Sequence, residues 1–331
     1  MKFLIAGAGA IGAYIGARMA RAGFDVTLFA RGPHLKAMQE HGVSVKGVGG
    51  DFQVHPRIVG SLEEAGPADV VFLGVKAHSL PQLAPLLKPV LGPETTVVST
   101  QNGIPWWYFQ GLSGAGEGIH LERVDPGGEI SSAIEARRVV GSIVYFSTEI
   151  PAPGVIQHTE GNRISIGEPE GARSDRCRRI AEALVASGLR CPITTHIRQE
   201  IWVKLLGNAS LNPVSALTRA TLVQMMRDPG TSAVIRNIMQ EVESVSRKLG
   251  MELPVSIDQR MTGAEKVGEH KTSMLQDLEA GRPMELEALV GSVVELGERL
   301  GLPMTHTRTV YSCAKLLAKC SIANTQAVKG P

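Results

Sequence analysis

Cysteine, net charge and long apolar runs are all scarce in this chain, and each scarcity removes a class of function. Four cysteines occur in 331 residues: Cys177, Cys191, Cys313 and Cys320. None falls in a C-x-x-C pair, so the spacing indicates neither a metal site nor a disulfide framework, and reduced thiols in a cytoplasm fit best. With 34 Lys and Arg against 32 Asp and Glu, the formal net charge is +2. No basic excess points to nucleic acid as a partner. Beyond the N-terminus no stretch is long and apolar enough to span a membrane. Aromatic residues make up only 4% of the chain, yet Trp106, Trp107, Tyr108 and Phe109 stand together. The rest is 43% hydrophobic and 20% charged, an ordinary globular composition of a length that suggests two domains.

The N-terminus carries two patterns. Lys2 followed by an uncharged stretch through Ala17 imitates a secretory signal, but Gly7, Gly9, Gly12 and Gly16 are poor company for a signal helix. "KFLIAGAGAIGAYIGARMARAG" reads better as a short buried strand over 3–6, a glycine turn, and a helix to about residue 22. Gly7-x-Gly9-x-x-Gly12 then has the dinucleotide-binding spacing. The first glycine makes the turn, the second admits a pyrophosphate, and the third lets helix approach strand. Ala8, Ala10 and Ile11 fill the same turn, where N–H groups and the helix dipole favour an anion.

The next strand, "FDVTLFAR", ends on Arg31. A site for NADH usually places an acid there to bind the ribose 2′-hydroxyl. A guanidinium suits a 2′-phosphate instead, so NADPH is the expected cofactor. "ADVVFLGVKAHSL" and "TTVVSTQNGI" predict strands ending at Lys76 and Asn102. Ligands of open parallel sheets bind at the carboxyl ends of strands. Gly7, Arg31, Lys76 and Asn102 are therefore expected along one rim. "RRVVGSIVYFSTEI" continues the sheet, and "GVIQHTEGNRISIGEP" reads as two short strands around a turn at Glu160-Gly161-Asn162.

From about His196 the texture becomes helical, which sets expected domains at 1–195 and 196–331. Helical spacing of apolar residues covers 241–250, 263–280, 283–300 and 307–318. An α/β dinucleotide-binding domain followed by an all-α domain implies a cleft between them, bordered by the helix over 196–212. On that helix Glu200, Lys204, Asn208 and Asn212 recur every fourth residue and form one polar stripe. Two readings stay open. Glu200 and Lys204 are in the favourable order for a solvent-exposed ion pair, or the stripe is the wall of an active site.

Several segments together resemble the ketopantoate reductase (2-dehydropantoate 2-reductase) family. "GAGAIG", "VKAHS" and "QNGI" are similar to its cofactor motifs, and "RQEIWVKLLGNASLNPVSAL" and "TSMLQDLEAGRPMELEALVG" to its two C-terminal motifs. The resemblance implies a Rossmann-type domain followed by an all-α domain, as in 6-phosphogluconate dehydrogenase. It also implies NADPH-dependent reduction of a 2-oxo acid, with ketopantoate the first candidate. By position, Lys204 matches the catalytic lysine and Glu285 the active-site glutamate. Asn208, Asn212 and Ser273 match substrate-contacting positions, and Asn102 and Lys76 match residues near nicotinamide and substrate.

The chemistry is consistent with this. Hydride addition to a ketone builds an alkoxide that needs a proton donor, and neither helical motif offers a histidine. A free lysine, with a pKa near 10.4, is a reluctant acid. Partial burial among Trp202, Leu205 and Leu206 should lower its pKa. Without the resemblance Glu285 reads as an ordinary acid placed at a helix start, where the dipole favours it; the resemblance reverses that reading. The alternatives are a reductase for another branched or aromatic 2-oxo acid, a non-catalytic NADPH-binding regulator, and an opine-type or hydroxy-acid dehydrogenase, which more often uses a histidine. A homodimer is an open expectation. After Ile104 the chain departs from the family with an irregular stretch, 105–134, holding the four clustered aromatics. It is expected over or beside the cleft, either lining the substrate pocket or laid on the domain surface.

Overall fold

The computed structural model describes the backbone of residues 1–329 and the side chains of residues 1–321. The chain divides into two compact units, residues 1–101 with 128–197, and residues 102–127 with the chain from Arg198 onward. Residues 102–127 thus group with the helices, which the sequence boundary at 195/196 does not convey.

The first unit is built on one nine-stranded sheet. Its strands are β1 (Lys2–Ala6), β2 (Asp25–Phe29), β3 (Val43–Gly47), β4 (Phe52–Val54), β5 (Arg57–Val59), β6 (Ala68–Leu73), β7 (Leu91–Ser99), β8 (Val139–Ala152) and β9 (Val155–Gly167). Their order across the sheet is β4-β3-β9-β8-β7-β6-β1-β2-β5. From β8 to β5 all neighbours are parallel, the doubly wound arrangement expected of a Rossmann-type domain. The central strands are buried on both faces, which is why they read as continuous apolar runs such as "FLIA" and "VVFL". The helix Ala10–Arg21 lies close on the sheet because its inner face is small. A Cβ at Gly16 would stand 2.4 Å from Leu28 Cδ2.

Three boundaries move. β6 stops at Leu73 and β7 at Ser99, so Lys76 and Asn102 each stand three residues beyond a strand rather than at its end. The expected turn at Glu160-Gly161-Asn162 is not a turn. β9 is one strand that pairs antiparallel with β8, and the hairpin turns at Pro153-Gly154, between paired Ala152 and Val155. Gly161, at φ 68°, sits at a shift of the β8–β9 register opposite Phe146. A bulge uses the same left-handed glycine as a turn, which is why the two were confused. Just past β9, the buried Glu168 accepts hydrogen bonds from Arg176 and Ser174.

The second unit contains the helices Ile197–Thr218 (which opens one residue before it), Leu222–Arg227, Pro229–Lys248, Ile257–Val267, Ser273–Glu279, Ser292–Arg299 and Thr305–Lys329. The helix expected at 241–250 starts far earlier, where Asp228 accepts from the Thr231 N–H and Pro229 occupies the first turn. The stretch 263–280 is two helices. Gly268, at φ 82°, ends one, and Thr272 caps the next through the Leu275 N–H. In 283–300, residues 283–285 are not helical, and a π-helical turn, Glu287–Gly291, runs into Ser292–Arg299.

The aromatic run is interior. Trp107 and Tyr108 are 1% and 0% exposed, and Trp106 and Phe109 are also buried. Trp202 Nε1 donates to the Tyr108 hydroxyl at 2.7 Å, and Arg198 Nε donates to the Tyr108 carbonyl at 2.8 Å. Tyr108 is therefore tied to the helix that carries Trp202, and the aromatic run is not laid on a surface.

Candidate active site

The glycine turn shows how a chain makes room for an anion. Gly7 adopts φ 104°, and a Cβ there would meet Val75 Cγ1 at 2.3 Å. A Cβ at Gly12 would lie 2.3 Å from the Gly7 carbonyl and 3.2 Å from Gly74 Cα, and one at Gly74 would meet the same carbonyl at 2.3 Å. Three backbones thus touch where any side chain would hold them apart. Gly9 differs, since a Cβ there would approach only Gly74 O at 3.5 Å, leaving space on its outer side. Gly9 also caps the helix Ala10–Arg21 without a side-chain acceptor, and the first turn holds no acid. The N–H groups of Ala10, Ile11 and Gly12 have no intrahelical acceptor, so the turn fits a pyrophosphate.

Arg31 is exposed just beyond β2, its guanidinium 5.2 Å from the centre of the Phe29 ring. It precedes the helix Gly32–His41, whose first turn also lacks an acid. Lys76 is partly buried and precedes the 3-10 turn Ala77–Ser79. Gln101 Nε2 donates to the carbonyls of Leu73 (2.8 Å) and Val75 (2.9 Å), fixing the segment that leads into Lys76. These residues of the sheet unit fit a dinucleotide. Asn102, grouped with them on sequence, falls in the helical unit.

In the helical unit, Lys204, Asn208 and Asn212 share one face of Ile197–Thr218, and none is fully exposed. Burial pulls the Lys204 ammonium from its ordinary 10.5 down to about 8. The Glu285 carboxylate opposes that fall, and the Arg260 guanidinium adds to it. Lys204 and Glu285, chosen from separate motifs, are therefore electrostatically coupled. Asn212 is 5% exposed, and its Nδ2 is a buried donor without a partner among the described residues. Such a donor costs free energy until an acceptor arrives. Glu200, one turn before Lys204, is partly exposed. Ser273 is exposed at the first position of its helix.

Glu285 stands at the cap position, its carbonyl accepting from the Leu289 N–H at 3.2 Å, and the π-helical turn starts two residues later. π-helical turns recur at functional sites because they re-aim neighbouring side chains. This one is held from two sides. A Cβ at Gly103 would sit 2.2 Å from the Ala288 carbonyl, so the Asn102-Gly103 turn presses directly on it. Arg123 Nη1 donates to Glu287 Oε2 at 2.8 Å, and the Tyr311 hydroxyl donates to the same carboxylate.

Sequence reasoning missed Arg260 and Gly74. Arg260 comes from Ile257–Val267, and its guanidinium fills the notch left by Gly207. A Cβ at 207 would lie 2.1 Å from Arg260 Nη2. A glycine inside "KLLGNAS" was the available signal, because a mid-helix glycine costs stability unless something needs the space. The signal for Gly74 was the glycine directly after "FL" in β6.

Comparison with known proteins follows the same outline. The description "Ketopantoate reductase PanE/ApbA" matches residues 3–109, and "Ketopantoate reductase PanE/ApbA C terminal" matches residues 196–318. The 2-dehydropantoate 2-reductase of Mesorhizobium japonicum is 48% identical, over 96% of this chain and 98% of that protein. The crystal structure of a proposed ketopantoate reductase from Ralstonia solanacearum MolK2 superposes with a TM-score of 0.92. It is 37% identical and covers 97% of this chain and 98% of its own. A D-mandelate dehydrogenase solved with NADH and anilino(oxo)acetate shares the fold, with a TM-score of 0.84 at 18% identity, covering 97% of this chain and 99% of that one. With the glycine turn in one unit, the depressed lysine in the other and both motifs matched along the chain, this protein belongs to the ketopantoate reductase family.

Proposed function

We propose that this chain is a cytoplasmic enzyme that reduces 2-dehydropantoate (ketopantoate) to pantoate with NADPH. One observation carries the reading: Lys204, brought to about 8, on a helix face with two asparagines and coupled to Glu285. A lysine at 8 is still mostly protonated at neutral pH and gives up its proton far more readily than a free one. When bound, the nicotinamide supplies the hydride. Lys204 Nζ donates the proton to the ketone oxygen that becomes the hydroxyl, and its charge stabilises the developing alkoxide. Glu285 holds the proton on Lys204 until it is needed. Asn208 and Asn212 grip polar substrate atoms, with the unpartnered Asn212 amide waiting for an acceptor, and Asn102 and Ser273 complete the set. Arg31 reads the 2′-phosphate. The identity to the Mesorhizobium japonicum enzyme supports the choice of substrate.

The test follows NADPH oxidation against a panel of 2-oxo acids. Ketopantoate should give the highest kcat/KM, and Lys204→Ala should lower kcat roughly 10²–10⁴-fold with NADPH affinity unchanged. Near-normal turnover by Lys204→Ala would sink the assignment.

A further inference from the structure

Arg260 has no assigned part in the proposed reaction, yet the fold makes room for it at some cost. The helix Ile257–Val267 begins on a capping box, in which Gln259 N–H donates to Ser256 Oγ and Ser256 N–H donates back to Gln259 Oε1. That registers Arg260 in the first turn, over Gly207. With a Cβ at 207 lying 2.1 Å from Nη2 and 2.6 Å from Cζ, any other residue there would evict the guanidinium. Gly207 immediately precedes Asn208 on the helix that carries Lys204.

A second cation beside Lys204 is an electrostatic burden in a partly buried setting, and it makes Lys204 harder to keep charged. Every 2-oxo acid is a monoanion, with its carboxylate on the carbon next to the ketone. Lys204 is committed to the ketone oxygen, so the carboxylate needs a separate partner within about one carbon–carbon bond. A guanidinium is suited to it, because its planar fork matches a carboxylate with two parallel hydrogen bonds.

The geometry points to Arg260 as the residue that holds the substrate's carboxylate, selecting 2-oxo acids over neutral ketones. This rests on the reductase reading above. The experiment compares ketopantoate with its methyl ester in the wild type, Arg260→Gln and Arg260→Lys. In Arg260→Gln, kcat/KM for the acid should fall on the order of 100-fold, the scale of truncating one partner of a buried charge pair. Most of that loss should sit in KM. The ester should change only a few-fold, so the acid-to-ester ratio collapses while the NADPH dissociation constant stays unchanged. Arg260→Lys keeps the charge without the fork and should lose part of the ratio. It also serves as the informative variant if Arg260→Gln fails to fold. Equal losses for acid and ester, or an unchanged ratio, would overturn the carboxylate role and leave Arg260 as a modulator of Lys204. Failure of the reductase reading would look different, since the wild type itself would then turn over no 2-oxo acid.

Discussion

Lys204→Met should give a protein that is catalytically dead and more stable than the wild type. Met is close to lysine in length and unbranched, so it occupies a similar volume without an ammonium. Burial is the largest cause of the fall of Lys204 from 10.5 to about 8, partly opposed by Glu285. At about 1.4 kcal/mol per tenfold change, holding the charged lysine in the native state costs roughly 3 kcal/mol at neutral pH. The sign follows from the depressed native value. Below about pH 8 both native and unfolded chains carry the proton and the full penalty is present. As pH rises toward 10.5, the native lysine is already neutral while the unfolded one still binds its proton, and the penalty fades. Urea unfolding of both proteins at about pH 7 and about pH 9.5 measures it. Lys204→Met should gain up to roughly 3 kcal/mol at the lower pH and less than about half of that at the higher. A variant no more stable than wild type at either pH would refute the claim that the site holds lysine against its preference.

The same lysine sets the rate profile. kcat should decline as pH rises through about 8, and Glu285→Gln should move that limb to lower pH, because its carboxylate favours the charged lysine; stopped-flow or steady-state kcat across pH decides it. Arg31→Asp should weaken NADPH and relatively favour NADH, and an unchanged ratio of the two dissociation constants would exclude the 2′-phosphate role. Burial alone would raise the Glu168 carboxyl, but hydrogen bonds from Arg176 and Ser174 outweigh it and hold it below its ordinary value. Its stabilising contribution is therefore present above the ordinary carboxylate range and lost as pH falls through the depressed value. Glu168→Gln leaves Arg176 without its charge partner and should cost about 3–5 kcal/mol at neutral pH, read from the urea midpoint.

What sequence could carry was what neighbours along the chain decide. The strand–glycine–helix entry and the stripe Lys204, Asn208, Asn212 depend on spacing within a few turns, and the structure places both on the expected elements. Glu285 was reached only through its motif, since an acid near a helix start has a local explanation. Arg260 was out of reach because its position depends on two helices meeting at Gly207. Gly161 misled because turns and bulges demand the same backbone angle. Of the two readings of the aromatics at 106–109, the surface loop fails, because an irregular backbone does not show that Tyr108 meets Trp202, distant in the chain.

That distance bears on how the protein is made. Residues 102–127 belong to the helical unit but are flanked on both sides by the sheet unit. A ribosome therefore delivers Trp107 and Tyr108 long before Trp202, which lies 94 residues after Tyr108. At roughly 5–20 residues per second, an apolar aromatic segment waits for several seconds with its partners unborn. For the same reason, a gene split between residues 195 and 196 should not yield two halves that fold independently, because the amino-terminal piece would carry away part of the other unit's core.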